Sequence, residues 1–434
     1  MSEPQINSRI SGFFKKSLEE RQKIIKEMCQ LEEIDIEYLN FAKTPLDKAG
    51  KGYYIENVIG AMTIPLGIAT NFQINGKDYL IPMAIEEASV VAASANSAKV
   101  ARAGGGFFAS STPPIMIGQI QVVDLTDPWA AKARVHEKEE DIIKLANDQD
   151  PILIKFGGGC IGMQVKVLEH TKTVPMLIVE LLVDCRDAMG ANAVNTMNEA
   201  CAPLIEKITG GKVFLRIISN LADKRLVRAR AVFPASQLAT DDMSGEEVID
   251  GILHAYAFAE ADPYRNATHV KGIMNGIDAV AVALAQDWRA IEAGAHAYAA
   301  TKVPGKYSSI TYYEKNENGD LVGTIELPMA VGTVGGVASV HPVAQISKKI
   351  LNVKGANELG EVMACLGLAQ NFAALRALAS SGIQAGHMKL HARNLAASLG
   401  ATTDDIERIL DLITKRKIKV TYDNVKKLVE EVKR

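Results

Sequence analysis

Cysteine is scarce and scattered: five residues, at 29, 160, 185, 201 and 365, with no Cys-x-x-Cys pair. That spacing excludes a zinc ribbon or disulfide framework and suits a reducing compartment. No basic excess is present either. The formal net charge is −3, so a nucleic-acid partner, which normally demands an electropositive surface, is not indicated. The N-terminal segment is polar and charged, and no secretory signal is expected. The longest uncharged runs, 103–123 and 327–347, have the length of a membrane span, yet Gly, Pro and Ser interrupt both. They are expected as buried loops and short strands. What remains is an ordinary globular composition, 434 residues at 48% hydrophobic and 23% charged. That is enough for two or three domains with sizeable cores.

Along the chain, Ser17 and Glu20 have capping-box spacing ahead of Ile24, Ile25, Met28 and Leu31 at helical period. A second short helix should follow from Asp35, and residues 53–62 read as helix or loop entering the core. Asn75-Gly76 between two β-prone runs predicts a hairpin within 64–85. Glu86 and Glu87 are expected to open a helix rich in Ala and Ser, because carboxylates in a first turn favour the macrodipole. Its small residues suit close packing, as in a dimer layer. Then come a strand over 116–123, a helix over 127–147 and a strand over 152–156. Gly157, Gly159 and Gly162 satisfy G-x-G-x-x-G. A Rossmann loop must open a helix, however, and residues 163–170 alternate as a strand, so that reading fails on context.

Residues 187–192, Asp-Ala-Met-Gly-Ala-Asn, are a better cofactor candidate. They lie between a strand at 176–184 and a helix marked by Met189, Val194, Met197, Leu204 and Ile205. Gly190 permits close approach, and free N–H groups at a helix start suit a phosphate. The same residues also read as a plain turn with Asp187 as cap. Gly210-Gly211 should close that helix before a strand at 213–218. Two strands and a helix at 245–260 are expected next. Antiparallel strands should then surround Asn318-Gly319 within 308–333. The glycine-rich run 334–340 is expected near substrate, and 358–380 as a buried helix. Beyond Ser381 the chain reads as charged helices, with Gly382 and Gly386 as hinge positions. His387 and His391 stand i, i+4, but no H-E-x-x-H glutamate or third ligand accompanies them, so no metal is expected.

The most informative stretch is 261–296, where Arg265, Thr268, Lys271, Asn275 and Asp287 interrupt small-residue, apolar sequence. Arg265 offers a planar fork suited to a carboxylate, and Lys271 a compact point charge. Lys271 and Asn275, four apart, share a helix face. Asp287 sits at the seam between two apolar helical runs, where it either caps the second or holds a buried lysine. Taken singly, Lys271 also reads as a solvated lysine and Arg265 as half of a surface ion pair. Charges in such surroundings are costly unless paired or working.

This stretch resembles the lysine and aspartate segments of 3-hydroxy-3-methylglutaryl-coenzyme A reductase, in the class II form of bacteria and archaea. Glu-Asn-Val-Ile-Gly at 56–60, Glu-Glu-Ala-Ser at 86–89, the motif at 187–192 and Gly-His-Met-Lys-Leu-His-Ala-Arg-Asn at 386–394 follow in the family's order. The resemblance covers nearly the whole chain. It implies an α+β fold: a large substrate-binding and dimerisation domain (1–113 and 220–380), an inserted small ferredoxin-like cofactor domain (114–219) and a C-terminal helical flap (381–434). The implied reaction interconverts 3-hydroxy-3-methylglutaryl-CoA and mevalonate plus CoA with two equivalents of NAD(P)H. A reductase of another acyl-CoA thioester, or a non-catalytic member of the fold, is the alternative.

By that resemblance Lys271 stabilises the oxyanion, Asp287 orients it, His387 protonates the CoA thiolate and Glu87, buried, donates a proton. Ser89, Arg265, Thr268 and Asn275 would hold the substrate. Asp150, Ile152, Asp187, Ala188, Met189, Gly190 and Asn192 would hold the cofactor, NADH being favoured through Asp150 and NADPH possible. A cytoplasmic homodimer, or a multiple of dimers, without membrane or nucleic-acid partners is implied. Ala88 and Val270 depart from the family pattern, which has Pro and Asn there; Val270 bears on what supports Lys271.

Overall fold

The computed structural model describes residues 7, 9–13, 16–39, 62–380, 383–416 and 418–433. The 56–60 motif, nearly all of the helix or loop expected at 53–62, Gly382 and the side chain of His387 lie outside what is described.

Ser17 opens α1 (Leu18–Cys29) with a reciprocal capping box: its hydroxyl accepts from Glu20 N, and Glu20 accepts from Ser17 N. Helix α2 (Glu33–Leu39) follows. Strands β1 (Leu66–Ile74) and β2 (Lys77–Ala84) join through Asn75 and Gly76, whose φ values of 50° and 79° fit a left-handed hairpin turn. Helix α3 runs Val90–Ala103, so Glu86 and Glu87 precede it rather than forming its first turn. The chain leaves β2 in a bend and enters the helix only after Ser89, held at φ 76°. The two carboxylates are thereby released from the helix end.

After β3 (Phe107–Ser111) the chain leaves the first sheet and builds a second. This comprises β4 (Ile115–Val123), β5 (Gly159–Leu168), β6 (Met176–Asp184) and β7 (Lys212–Ile218), ordered β5-β6-β4-β7 with every pair antiparallel. Helices α4 (Pro128–Glu137), α5 (Glu139–Asn147) and α6 (Pro151–Lys155) link β4 to β5, and α7 (Ala191–Thr209) links β6 to β7. That is the split βαβ arrangement. Two expectations need correction here. The helix over 127–147 breaks at Lys138, and the apolar run at 152–156 is α6, capped by Asp150 with Pro151 in its first turn. A five-residue stretch of four apolar residues and Lys155 does not separate helix from strand by period.

The chain returns as β8 (Leu226–Phe233), where one strand stands in place of the two expected. It continues through α8 (Gly245–Ala261), α9 (Pro263–Ala283), α10 (Trp288–Thr301), β9 (Thr311–Lys315) and β10 (Leu321–Pro328). The six-stranded sheet is ordered β2-β1-β3-β8-β10-β9. Helix α11 (Pro342–Leu351) precedes α12 (Ala356–Ala379), which is long and apolar enough to cross a membrane, though 67% of that apolar window is buried inside the protein. It packs against α3, α8, α9 and the sheet, and Phe372 stacks on Phe233 at 3.8 Å between centroids. Helices α9 and α12 approach closely because a Cβ on Gly276 would meet Leu366 at 2.7 Å, and one on Gly367 would meet Ile277 at 2.8 Å. Helices α13 (Ile383–Ser398), α14 (Thr403–Arg416) and α15 (Tyr422–Val432) share their own core of Ala392, Ala396, Ile409, Val425 and Leu428. The second sheet likewise has a core separate from that of the first.

Candidate active site

Helix α9 begins at Asp262, whose carboxylate accepts from Arg265 N at 2.8 Å. Val270, Ile273, Met274 and Ile277 bury its inner face. His269 joins them, with Nε2 2.8 Å from Thr311 Oγ1, while Thr311 Oγ1 and Tyr313 OH donate to Asn371 Oδ1. Burial pushes the His269 pKa down to about 3, so the ring is neutral and acts as an anchor. The 3.6-residue period turns Arg265, Thr268, Lys271 and Asn275 to the opposite face. Val270 lies wholly in the core, so this departure from the family pattern does not touch the exposed face.

From β2 and its following bend, Glu87 reaches over that face. Its Oε2 lies 3.5 Å from Lys271 Nζ and accepts from Asn275 Nδ2 at 3.3 Å. Glu87 is 38% exposed and Lys271 57%, so the burial expected of a proton-donating Glu87 is absent in the single chain. Arg265 is half-buried, and burial lowers its pKa. Its guanidinium has no hydrogen-bond or ion-pair partner among the described residues. A partly desolvated, unpaired guanidinium is a costly arrangement that an anion would relieve. Thr268 is exposed, and its hydroxyl donates to Tyr264 O at 3.4 Å. Ser89 keeps a left-handed backbone yet makes no cap with its hydroxyl, the kind of local strain that collects at functional sites.

Asp287 is the N-cap of α10. It accepts from Ala290 N at 3.1 Å and lies 3.5 Å from Arg289. Lys271 therefore pairs with Glu87 rather than with Asp287, and it is not a buried lysine.

The seven cofactor candidates gather at one end of the second sheet. Asp150 accepts from Leu153 N at 2.9 Å, and Ile152 is exposed. A Cβ on Gly158 would touch Leu153, Asp184 O and Arg186, so the 157–159 turn joins α6 to the 184–190 turn. Arg186 donates to Gly157 O at 2.9 Å. Gly190, at φ 109°, starts α7 with no side-chain cap, and Ala191 and Asn192 are its first residues; a Cβ on Gly190 would lie 2.4 Å from Cys185 Sγ. The open helix start suits a phosphate. Asp187 does not cap α7. It accepts from Ala356 N at 2.8 Å and so caps α12 of the other sheet's body.

Comparison with known proteins decides what this arrangement belongs to. The family model for hydroxymethylglutaryl-coenzyme A reductase matches residues 17–392. The chain is 55% identical to 3-hydroxy-3-methylglutaryl-coenzyme A reductase of Archaeoglobus fulgidus, over 99% of this chain and 95% of that one. It is 35% identical to a probable enzyme of that name from Borreliella burgdorferi, over 88% and 86%. The class II enzyme of Streptococcus pneumoniae, in a structure bound to NADPH in open conformations, superposes with TM-score 0.80 at 36% identity, over 96% of this chain and 100% of that one. This chain belongs to the hydroxymethylglutaryl-coenzyme A reductase family.

Within this family member, sequence reasoning missed the residues that clasp the 187–192 turn. Buried Arg225 donates to Ala188 O and Met189 O at 3.1 Å and to Val331 O at 2.6 Å. Thr333 N donates to Asp187 O at 2.8 Å, Ala188 bridges Val334, and Gly332 N donates to Gln286 Oε1 at 2.9 Å. Gly332 and Thr333, just ahead of the glycine-rich run, and Val334 at its start thus link the 187–192 turn to the connector carrying Asp287. A bare arginine just ahead of a strand carries no local signal for this role. Among the C-terminal helices, α13 carries the His387 position, and His391 is exposed. A cavity of about 800 Å³ lined by Arg228, Tyr256, Lys302 and Glu326 includes none of the candidate residues.

Proposed function

We propose that the chain interconverts 3-hydroxy-3-methylglutaryl-CoA and mevalonate plus CoA, with two equivalents of a nicotinamide cofactor. The observation that carries this is Lys271 and Asn275 meeting Glu87 beside the unpaired Arg265. Arg265 grips the substrate carboxylate, helped by Ser89, Thr268 and Asn275. Lys271 then faces the thioester oxygen and stabilises the oxyanion as it forms. Glu87, next to Lys271, supplies the proton for the aldehyde stage, and Asp287 keeps the local field negative. His387 on the flap protonates the departing thiolate, since imidazole titrates near working pH.

The open start of α7, with Gly190 bringing backbone close, fits a dinucleotide phosphate, and Asp187, Ala188, Met189 and Asn192 would frame it. When bound there, the cofactor supplies hydride. Asp150 favours NADH: one carboxylate oxygen caps α6 and the other remains for ribose hydroxyls. Against a 2′-phosphate this charge would disfavour NADPH about a hundred-fold or more. The relative bound to NADPH makes this preference the point to measure, as kcat/KM for both cofactors in wild type and Asp150→Ala. The half-exposed Glu87 supports a homodimer in which a second copy, placing its cofactor domain (114–219) near this substrate domain, covers the site. The scattered free cysteines support a cytoplasmic setting.

The test follows cofactor absorbance with 3-hydroxy-3-methylglutaryl-CoA. Lys271→Ala should lower kcat by about 10²–10³ while substrate still binds. A variant keeping a tenth of wild-type turnover would overturn the assignment.

A further inference from the structure

The six-stranded sheet buries one face in the core and leaves part of the other open. Val227, Ala229 and Ala231 of β8 belong to the core, so Arg228 and Arg230 point the opposite way. Strand pairing sets one row across that open face. Phe108, Arg230, Thr324 and Tyr312 stand opposite one another on β3, β8, β10 and β9. Beside it, Ser110, Arg228 and Glu326 form a second row. The connector between α10 and β9, with Tyr256 of α8, walls these rows into the cavity of about 800 Å³, a volume typical of small-ligand sites.

The charges of this cavity do not balance. Four cations line it, Arg228, Arg230, Lys302 and Lys306, against two carboxylates, Glu260 and Glu326. Arg228 pairs with Glu326 at 2.5 Å and Lys306 with Glu260 at 2.7 Å. Among the described residues no carboxylate pairs with the other two. Lys302 donates to the Ser309 carbonyl, and the Arg230 guanidinium lies over the Phe108 ring at 5.4 Å. Phe108 and Tyr312 are half-exposed, and Tyr256 meets Tyr312 edge-on at 5.8 Å. Ser308, 3% exposed, also lines the cavity, and its hydroxyl has no hydrogen-bond partner among the described residues.

We propose that this cavity is a second small-molecule site, one that binds a nucleoside monophosphate. A phosphate monoester carries about two negative charges near neutral pH, which matches the two unpaired cations. The Arg230 fork takes two phosphate oxygens and Lys302 a third. The base stacks on Tyr312, and the ribose hydroxyls meet Ser110 and Thr324. None of the candidate catalytic or cofactor residues lines the cavity, so the site goes beyond the reductase reading.

The test is calorimetric titration of the full chain with 5′-AMP in the presence of saturating NADH and CoA, which keep any cofactor or thioester site filled. AMP should still bind, and Arg230→Gln, on the open face, should weaken it about ten-fold or more. Tyr312→Ala should weaken AMP to a similar extent by removing the stacking surface, and it stands in if Arg230→Gln folds poorly. Adenosine and inorganic phosphate, each lacking part of the ligand, should bind wild type about ten-fold or more weakly than AMP does. Loss of AMP binding once NADH and CoA are present would overturn the proposal. Equal affinity for AMP in wild type and both variants, or inorganic phosphate binding as tightly as AMP, would overturn it too. Binding is read without turnover, so failure of the active-site reading, seen as an active Lys271→Ala, is distinguishable from failure of this site.

Discussion

At the scale of the residue, identity and local spacing nominated the side chains for the proposed chemistry but not whom they meet. Lys271 and Asn275 shared a face in the sequence, and they share it in the fold. Their common partner Glu87 lies 184 residues before Lys271, a distance no period spans. Asp287 had two readings, helix cap and lysine partner, and its contacts are those of a cap. The two roles separate by substitution. Asp287→Ala loses the cap and about 1 kcal/mol of stability, whereas Asp287→Asn keeps a capping oxygen. If the negative charge also serves Lys271, both variants should lose turnover at least ten-fold, and only the alanine variant should melt earlier. Wild-type turnover in Asp287→Asn would reduce the residue to a cap.

Elements with a strong period or a cap were legible: α1 from its capping box, the β1–β2 hairpin from Asn75-Gly76, and α9 and α12 from their apolar faces. The short α6 was misread as a strand, and α3 starts later than its two glutamates suggested, because Ser89 bends the entry. What locks α9 in rotation is invisible locally. Neutral His269 is tied to Thr311, and through it to Asn371 of α12. A buried histidine with a folded pKa near 3 against 6.5 when exposed stabilises the fold above its unfolded pKa. That stability is lost as pH falls from about 6.5 toward 3. His269→Gln keeps a hydrogen-bonding side chain without titrating, so its urea midpoint should fall less steeply over that acid window. Equal acid sensitivity in the two proteins would show that the ring is not buried neutral.

At the scale of the molecule, four cores stand apart among the described residues: the six-stranded body, the four-stranded insert, the C-terminal helices and a small one joining α1 to β2 and α11. Truncation after Ser380 removes only the third. The remainder should therefore unfold cooperatively with nearly the wild-type melting temperature, while losing turnover if His387 serves the reaction. A truncated chain that cannot fold would mean the flap core is integral to the body. By itself the sequence determined helix and strand periods, the hairpin, the exclusion of a Rossmann loop and the family resemblance. All of these rest on spacings within a few residues or on motifs in order. Only the tertiary structure decided that Glu87 meets Lys271, that Asp187 caps α12 rather than its own helix, and that Arg225 clasps the 187–192 turn. Such partners are chosen where elements far apart in the chain pack together. There a buried polar group must find whichever donor or acceptor the packing leaves beside it.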